Sequence, residues 1–311
     1  MKAFDPKSLI DLDTCVINAL DLFMDPKTKF PRPNLTKFKR PLVVGSGNAI
    51  ATGRIIFDGH DAVFADEGTY QGKLDTIKKI DGVVLLSASG GKHAPIIAED
   101  VRARRRKIEL FTCNPAPLAR DAVNECHVFP SRPEPYTYNT STYMGMMMAC
   151  MIARPRAEAR KIREHIRKVV DPILKRYGKR LGDHNAFFLL VPEEFELIRI
   201  MLATKFVELF GRRLARDVFT WEQSMHATTV VEAPKELFIS FGRENTTLGK
   251  DRLYIPLPKN ATYPAIMAVG YYVIGKLQTQ KPAWFKRSIN SFAMRASKAF
   301  GQEIKPIVKF R

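Results

Sequence analysis

The stretch DGVVLLSASGGKHAP, residues 81–95, decides how the rest of the chain is interpreted. It begins with four apolar residues, Val83–Leu86, whose length and composition are typical of a buried parallel strand. Hydroxyl and glycine residues follow at once, before a helical segment: Ser87, Ser89, Gly90, Gly91, with Lys92 next. Glycines let backbone N–H groups converge, serines donate hydrogen bonds, and the helix presents its positive end, so the stretch predicts a phosphate-binding loop. An ordinary strand-to-helix turn that binds nothing is the alternative.

Strand-like segments recur near residues 43, 63, 84, 110 and 127, and helical lengths separate them. This alternation predicts an α/β fold with a doubly wound, flavodoxin-like parallel sheet. In such sheets ligands bind at the carboxyl ends of the strands, where the winding reverses. The serine-rich loop is expected at that edge.

A second glycine loop lies in PLVVGSGNAIATGRIIF, residues 41–57. A short strand again ends in small residues, and a helix begins directly after them. A dinucleotide-binding fingerprint would need a third glycine at position 50, where Ile50 stands, and Gly53 comes too late. The spacing therefore disfavours a nicotinamide cofactor.

The chain is strongly basic, with 50 Lys and Arg against 32 Asp and Glu and a net charge of +18. Such a balance favours anionic partners, from sugar phosphates to nucleic acid. A basic run at residues 102–107 resembles a nucleic-acid patch, but it falls at a predicted helix end, where cations are stabilised by the helix dipole. Nucleic-acid binding is therefore the less favoured interpretation.

The four cysteines are widely spaced and form no CxxC pair, so neither a zinc site nor a disulfide framework is indicated. The amino-terminal sequence MKAFDPKSLIDLD carries charges where a signal peptide would be apolar. The longest apolar runs are shorter than the roughly 20 residues that span a bilayer. These features predict a cytoplasmic protein.

Residues 87–129 resemble the sugar isomerase (SIS) domain family, through the serine-rich loop, the following helix and strand, and the turn NPAPLA at residues 114–119. The loop GSGNAI resembles that of the bifunctional phosphoglucose/phosphomannose isomerases, and the resemblance extends over roughly residues 40–290. It implies a homodimer that needs no metal or organic cofactor. It also implies contacts to a sugar phosphate from Gly47, Asn48, Ser87, Ser89, Gly90, Lys92, Glu134, Ser141 and Thr142. Helix capping is an equally good role for Ser141 and Thr142.

The resemblance divides the chain into five parts. These are an amino-terminal helix with a connector (1–40), a first SIS subdomain (41–153), a bridging helix (154–183), a second SIS-like subdomain (184–290) and a basic tail (291–311). The second half begins like the first, but Pro192, Glu193 and Glu194 replace the glycines, so only the first half is expected to bind phosphate. The tail is expected to dock on a partner subunit.

The resemblance also implies the catalytic groups. Moving a carbonyl between C1 and C2 of a sugar needs a carboxylate to shuttle the carbon-bound proton and a group that moves protons at the ring oxygen. Glu208 matches the family's base and His226 its histidine, while Lys286 matches its lysine, with Lys281 and Arg287 as rivals. Without the resemblance, each would be read as an ordinary surface or core residue.

The function expected from these observations is aldose–ketose isomerisation of a hexose phosphate, of the glucose 6-phosphate to fructose 6-phosphate type, with mannose 6-phosphate as a further substrate. Two alternatives stay open. One is a non-catalytic phosphosugar sensor, which would keep Ser87 and Ser89 but could dispense with Glu208 and His226. The other is a deaminase or isomerase of amino-sugar phosphates.

Overall fold

The structure is a computed structural model that describes residue 5 and residues 8–91, 93–227, 231 and 233–309. The chain divides into two compact units. The first-sheet unit comprises Asp21–Arg156 and Ala293–Arg311, and the second-sheet unit comprises Met1–Leu20 and Ala157–Phe292. Each unit is therefore built from two separate stretches of the chain.

The first sheet has five parallel strands in the order β2-β1-β3-β4-β5. This order confirms the doubly wound α/β architecture and the five strands predicted from the sequence. The helix α1 (Leu12–Met24) precedes the sheet in the chain. The elements that follow are β1 (Pro41–Val44), α2 (Asn48–Ile56), β2 (Val63–Ala65), α3 (Tyr70–Thr76), β3 (Gly82–Leu86), α4 (His93–Ala103), β4 (Ile108–Thr112) and β5 (Glu125–Val128).

The core of the first sheet forms because its central strands are buried on both faces and are mostly apolar. All residues of β1, β3 and β4 are buried. On one face, Val83 and Leu85 pack in a cluster with Ile97 and Val101 of α4. Burying each such side chain stabilises the fold by about 1.5–3 kcal/mol. Helices on both faces thus hold the strand ends, and the loops after them, in fixed positions.

The second sheet has four parallel strands in the order β10-β9-β7-β8, which repeats the order of β1 to β4 in the first sheet. Before it come β6 (Glu134–Pro135), α5 (Thr140–Met151), α6 (Pro155–His165), a π-helical turn (Ile166–Val170), α7 (Asp171–Tyr177) and α8 (Arg180–Asp183). The sheet and the helices after it are β7 (Ala186–Val191), α9 (Arg199–Phe210), β8 (Ala215–Thr220), α10 (Trp221–Ala227), β9 (Glu236–Phe241), β10 (Asp251–Ile255), α11 (Tyr263–Gln280) and α12 (Trp284–Phe300).

Three features differ from the sequence analysis or add to it. Strands β8 and β10 were not predicted. The basic tail contains a strand, β11 (Ile307–Val308), that pairs antiparallel with β6 of the same chain, and its docking on a partner subunit stays a prediction. Among the described helices, none has the length and apolar character required to cross a bilayer.

Candidate functional site

The serine-rich loop lies at the carboxyl end of β3 and is held by its own hydroxyls. The Ser87 Oγ accepts a hydrogen bond from the Gly90 N–H at 3.2 Å, and the Ser89 Oγ accepts one from the Gly91 N–H at 3.3 Å. Gly90 has a φ of 59°, a conformation that side chains disfavour. The loop is half-buried and leads directly into the 11-residue helix α4. Predicted Lys92 lies outside the described residues.

The turn at residues 114–119, which has the sequence NPAPLA, holds this loop in place through hydrogen bonds. The Asn114 side-chain amide donates to the Ser89 carbonyl at 2.9 Å, and the Ala119 N–H donates to the Gly90 carbonyl at 3.1 Å. The hydroxyl of Thr112 donates to the Ala88 carbonyl at 3.0 Å. The loop geometry is therefore fixed by neighbouring residues of the same unit.

The glycine loop after β1 lies beside the serine-rich loop. Strands β1 and β3 are neighbours, with Val44 opposite Leu85, so both loops leave the same edge of the sheet. The winding reverses between these two strands, which is where ligands bind in such folds. Gly47 has a φ of 53°. Asn48 is 7% exposed, and its Oδ1 has no hydrogen-bond partner among the described residues. A buried, unpaired acceptor at this edge favours a ligand that donates to it.

Predicted Glu134, Ser141 and Thr142 are buried, with Glu134 in β6 and the other two in the first turn of α5. The Glu134 carboxylate accepts the N–H groups of Thr140 at 2.6 Å and Ser141 at 2.8 Å, so it caps the helix. The Ser141 Oγ accepts the Arg132 N–H at 3.0 Å. These hydrogen bonds show a structural role for Glu134 and Ser141. Thr142 forms a hydrogen bond with the Cys113 thiol instead. Contact with a sugar stays a prediction for the three residues.

The basic run at the end of α4 serves the fold. The Arg104 guanidinium pairs with Asp100 at 3.2 Å and also with Asp75. The Arg106 guanidinium donates to the Ile80 carbonyl. These bonds join the helix to neighbouring connections of the sheet, which supports the structural interpretation of the run.

Glu208 lies in the last turn of α9 and forms an ion pair that the sequence analysis missed. Its Oε2 is 2.6 Å from the Lys205 Nζ, and the two side chains are 21% and 0% exposed. Burial raises the pKa of Glu208, and Lys205 offsets only part of this rise. The Lys205 ammonium also lies 5.2 Å from the centre of the Tyr271 ring. The i, i+3 spacing of the pair is visible in the sequence and could have identified it.

His226 lies on the exposed side of α10, directly after β8. Glu208 lies on α9, which comes before β8 in the chain. Among the described residues, no hydrogen bond or ion pair joins the predicted carboxylate to the predicted histidine. Their roles in one reaction stay a prediction.

Lys286 lies at the start of α12 and lines a cavity of about 120 Å³. Its Nζ is 3.0 Å from Asp11 Oδ2. Leu209 and Phe210, the two residues after Glu208, line the same cavity. The rival Lys281 donates to the carbonyls of Gly182 and His184 at 2.7 and 2.5 Å, so it has a structural role. The rival Arg287 is exposed.

The carboxyl edge of the second sheet differs chemically from that of the first. The Glu193 carboxylate accepts the Glu222 N–H at 3.0 Å, and the Glu196 carboxylate accepts the Gln223 amide at 2.9 Å. Exposed carboxylates repel phosphate, which supports the expectation that only the first half binds it.

A group with metal-ligand character lies on β4 and β5. Carboxylate oxygens of Glu109 and Glu125 and a His127 ring nitrogen lie within 4.8 Å of one another. The Lys37 ammonium lies among them, 2.6 Å from Glu109 and 2.5 Å from Glu125. A lysine cation already lies between the two carboxylates, so the group is explained as an ion-pair network around the buried Glu109 rather than as a metal centre.

No protein-family model matches the sequence, and no curated protein matches it significantly. Solved structures do resemble it in fold. Glucosamine-6-phosphate deaminase from Thermotoga maritima is 13% identical, with a TM-score of 0.63 over 86% of this chain and 93% of that one. Tagatose-6-phosphate ketose/aldose isomerase from Escherichia coli is also 13% identical, with a TM-score of 0.56 over 89% and 90% of the two chains.

A third similar structure is the C-terminal domain of glucosamine-fructose-6-phosphate aminotransferase from Francisella tularensis. It is 10% identical, with a TM-score of 0.57 over 86% of this chain and 93% of that one. At such low identity, the likeness establishes a common architecture and leaves the individual site residues open. The chain therefore has the two-sheet α/β fold that these three sugar-phosphate proteins share.

Proposed function

We propose that the chain binds a phosphorylated sugar at the carboxyl edge of the first sheet and isomerises it between aldose and ketose forms. One observation carries the binding part: the two small-residue loops leave neighbouring strands at the point where the winding reverses. The half-buried serines and the N–H groups of that edge suit a phosphate, and the unpaired Asn48 oxygen suits a sugar hydroxyl.

The proposed reaction opens the sugar ring and moves one proton between C1 and C2 through an enediol. In the aldose-to-ketose direction Glu208, as carboxylate, takes the proton from C2 and returns it to C1, while the hydroxyl proton on O2 passes to O1, so that atoms and charge balance. The hexose phosphates glucose 6-phosphate and fructose 6-phosphate are the proposed substrates, with mannose 6-phosphate as a third. Lys286 is proposed to stabilise the developing enediolate charge, for which it would have to leave Asp11.

His226 is proposed to move protons at the ring oxygen. Since no hydrogen bond or ion pair joins it to Glu208 among the described residues, we propose that a second copy of the chain supplies the histidine. A homodimer with a shared site is thus part of the proposed function. A mixture of Glu208→Gln and His226→Ala chains tests this point, since only a shared site lets two inactive variants regain activity together.

The principal experiment is a coupled assay of fructose 6-phosphate conversion to glucose 6-phosphate. It compares the natural chain with the variants Glu208→Gln and His226→Ala. It also compares the double variant Ser87→Ala/Ser89→Ala with a control at an exposed serine, Ser288→Ala. We expect the first two variants to lose activity by at least about 100-fold while retaining sugar-phosphate binding. The double serine variant should lose binding, and the control should not. A natural chain that binds no sugar phosphate would refute the proposal.

A non-catalytic sugar-phosphate sensor is a second candidate, favoured because no hydrogen bond or ion pair joins Glu208 to His226 among the described residues. It predicts binding without turnover of any of the three hexose phosphates. Amino-sugar chemistry is tested in the same experiment by measuring ammonia release from glucosamine 6-phosphate. The fold shared with a glucosamine-6-phosphate deaminase supports including that substrate.

A further inference from the structure

The carboxyl-terminal segment of the first-sheet unit folds back along the end of α12. The Gln302 N–H donates to the Ser297 carbonyl at 3.3 Å, and the Ile304 N–H donates to the Ser297 Oγ at 2.8 Å. Ile304 is buried in a small cluster with Ala293 and Ala296, against which Tyr136 packs. The segment is therefore an ordered part of the unit.

The end of this segment forms a two-stranded sheet with the connection that leads to α5. Ile307 lies opposite Pro135, and Val308 lies opposite Glu134. The Tyr136 N–H donates to the Pro306 carbonyl at 2.7 Å. The backbone pairing and the Ile304 cluster thus hold the connection between β6 and α5 in place.

The connection itself has an unfavourable backbone. Thr137 has a φ of 81° and Asn139 a φ of 48°, both in the left-handed region. For a β-branched residue such as Thr137 this is a genuine outlier of the backbone, and it is energetically unfavourable. Such conformations persist only where surrounding contacts enforce them. Contacts of this kind include the pairing with β11 on one side and, on the other, the α5 N–H groups that donate to the Glu134 carboxylate.

We propose that residues 304–308 are a positioning segment for the connection 130–139, and that they set the shape of the sugar-contacting side of the site. This inference rests on the proposed function, in which Glu134, Ser141 and Thr142 border the sugar. The serine-rich loop is held separately, by Asn114 and Thr112. The segment therefore controls affinity for the sugar portion of the ligand and leaves affinity for phosphate alone nearly unchanged.

The test uses the full chain, a Val308→Pro variant, a chain that ends at Ile304, and the exposed control Lys309→Ala. The proline variant keeps the segment but disturbs the strand pairing, and it guards against a truncated chain that fails to fold. Hydrogen exchange of the Thr140 and Ser141 amides, measured without ligand, reports on the connection. Dissociation constants for glucose 6-phosphate and inorganic phosphate report on the site.

We expect exchange at Thr140 and Ser141 to rise at least about 10-fold in Val308→Pro, while the amides of β3 and β4 stay protected. The dissociation constant for glucose 6-phosphate should rise at least about 10-fold, equivalent to about 1.4 kcal/mol, and that for inorganic phosphate less than two-fold. Unchanged exchange, or faster exchange with unchanged sugar-phosphate affinity, would overturn the inference. If the natural chain binds no sugar phosphate, the proposed function and the site role of the segment both fail. The exchange data then decide separately whether the segment holds the connection.

Discussion

Lys205 and Glu208, three residues apart on α9, form a 2.6 Å ion pair in which the lysine is fully buried and the carboxylate reaches the surface. Burial raises the pKa of Glu208, so its ionised form is less favourable in the folded state than the neutral form that glutamine resembles, and Lys205 offsets part of this effect. Lys205→Met leaves the carboxylate without its cation and should therefore lower the free energy of unfolding by more than Glu208→Gln, with an expected loss of about 3–5 kcal/mol. Urea denaturation measures both, with the exposed Glu194→Gln as control. Equal losses in the two variants would contradict this asymmetry.

The pH dependence of the proposed isomerase should reflect the same pair. Burial raises the pKa of Glu208, so the acid limb of the kcat/KM profile should lie above the ordinary value of 4.5 for a glutamate. Lys205→Met removes the charge that offsets the effect of burial, and the limb should move to higher pH. The folded state also holds the Glu208 proton more tightly than the unfolded state. The stability of the natural chain should therefore fall as the pH rises from 4.5 through the folded-state pKa, and less so in Glu208→Gln. An acid limb that does not move in Lys205→Met would exclude Glu208 as its source.

Gly90 and Gly91 provide a matched pair for testing the serine-rich loop. A Cβ at Gly90 would lie 2.3 Å from the Pro117 Cβ and would sit on a backbone with a positive φ, whereas a Cβ at Gly91 would meet only the Ser89 Oγ, at 3.5 Å. Gly90→Ala is expected to destabilise the fold by about 1–3 kcal/mol and to weaken phosphate binding. Gly91→Ala should leave stability nearly unchanged. Thermal unfolding and phosphate titration distinguish the two, and similar behaviour would show that Pro117 does not constrain the loop.

The ion-pair network of Lys37, Glu109, Glu125 and His127 is expected to lose its stabilising contribution at low pH. Burial opposes ionisation of Glu109, but His127 and Lys37 more than compensate, so the pKa of Glu109 is lowered. Its stabilising contribution is present above the unfolded-state pKa and is lost as the pH falls through the folded-state value. Lys37→Met should cost about 1–3 kcal/mol at neutral pH, because it leaves the buried Glu109 carboxylate with His127 but without its lysine.

The same variant leaves two carboxylates and a histidine within 4.8 Å of one another. Zinc should then raise the melting temperature of Lys37→Met and leave that of the natural chain unchanged. The exposed neighbour Lys39→Met serves as control. Stabilisation of both proteins by zinc would indicate binding elsewhere.

The sequence was most informative where apolar runs and glycine spacing act locally. The five strands of the first sheet and both small-residue loops follow from short segments, since buried parallel strands are continuous apolar runs. Strands β8 and β10 were missed because they are the edge strands of the second sheet, and edge strands carry charged residues such as Arg216 and Asp251. Without an apolar run, neither had the signal that identified the others.

The site was predictable only in part, for a related reason. The loops around Ser87 and Asn48 are contiguous in sequence, but their juxtaposition depends on the pairing of β1 with β3. The Lys37 network requires the register that places Glu109 opposite Glu125, which no local pattern specifies. The position of His226 on α10, directly after β8, likewise became apparent only once that strand was known.

The pairing of β11 with β6 also bears on how the protein is made. Ile307 and Val308 leave the ribosome about 170 residues after their partners, Pro135 and Glu134. At about 5–20 residues per second, the nascent chain spends on the order of 10 to 35 s with β6 unpaired. A polypeptide whose synthesis stops before Ile307 would leave this edge unpaired, so chaperones and proteases could distinguish it from a chain that contains β11.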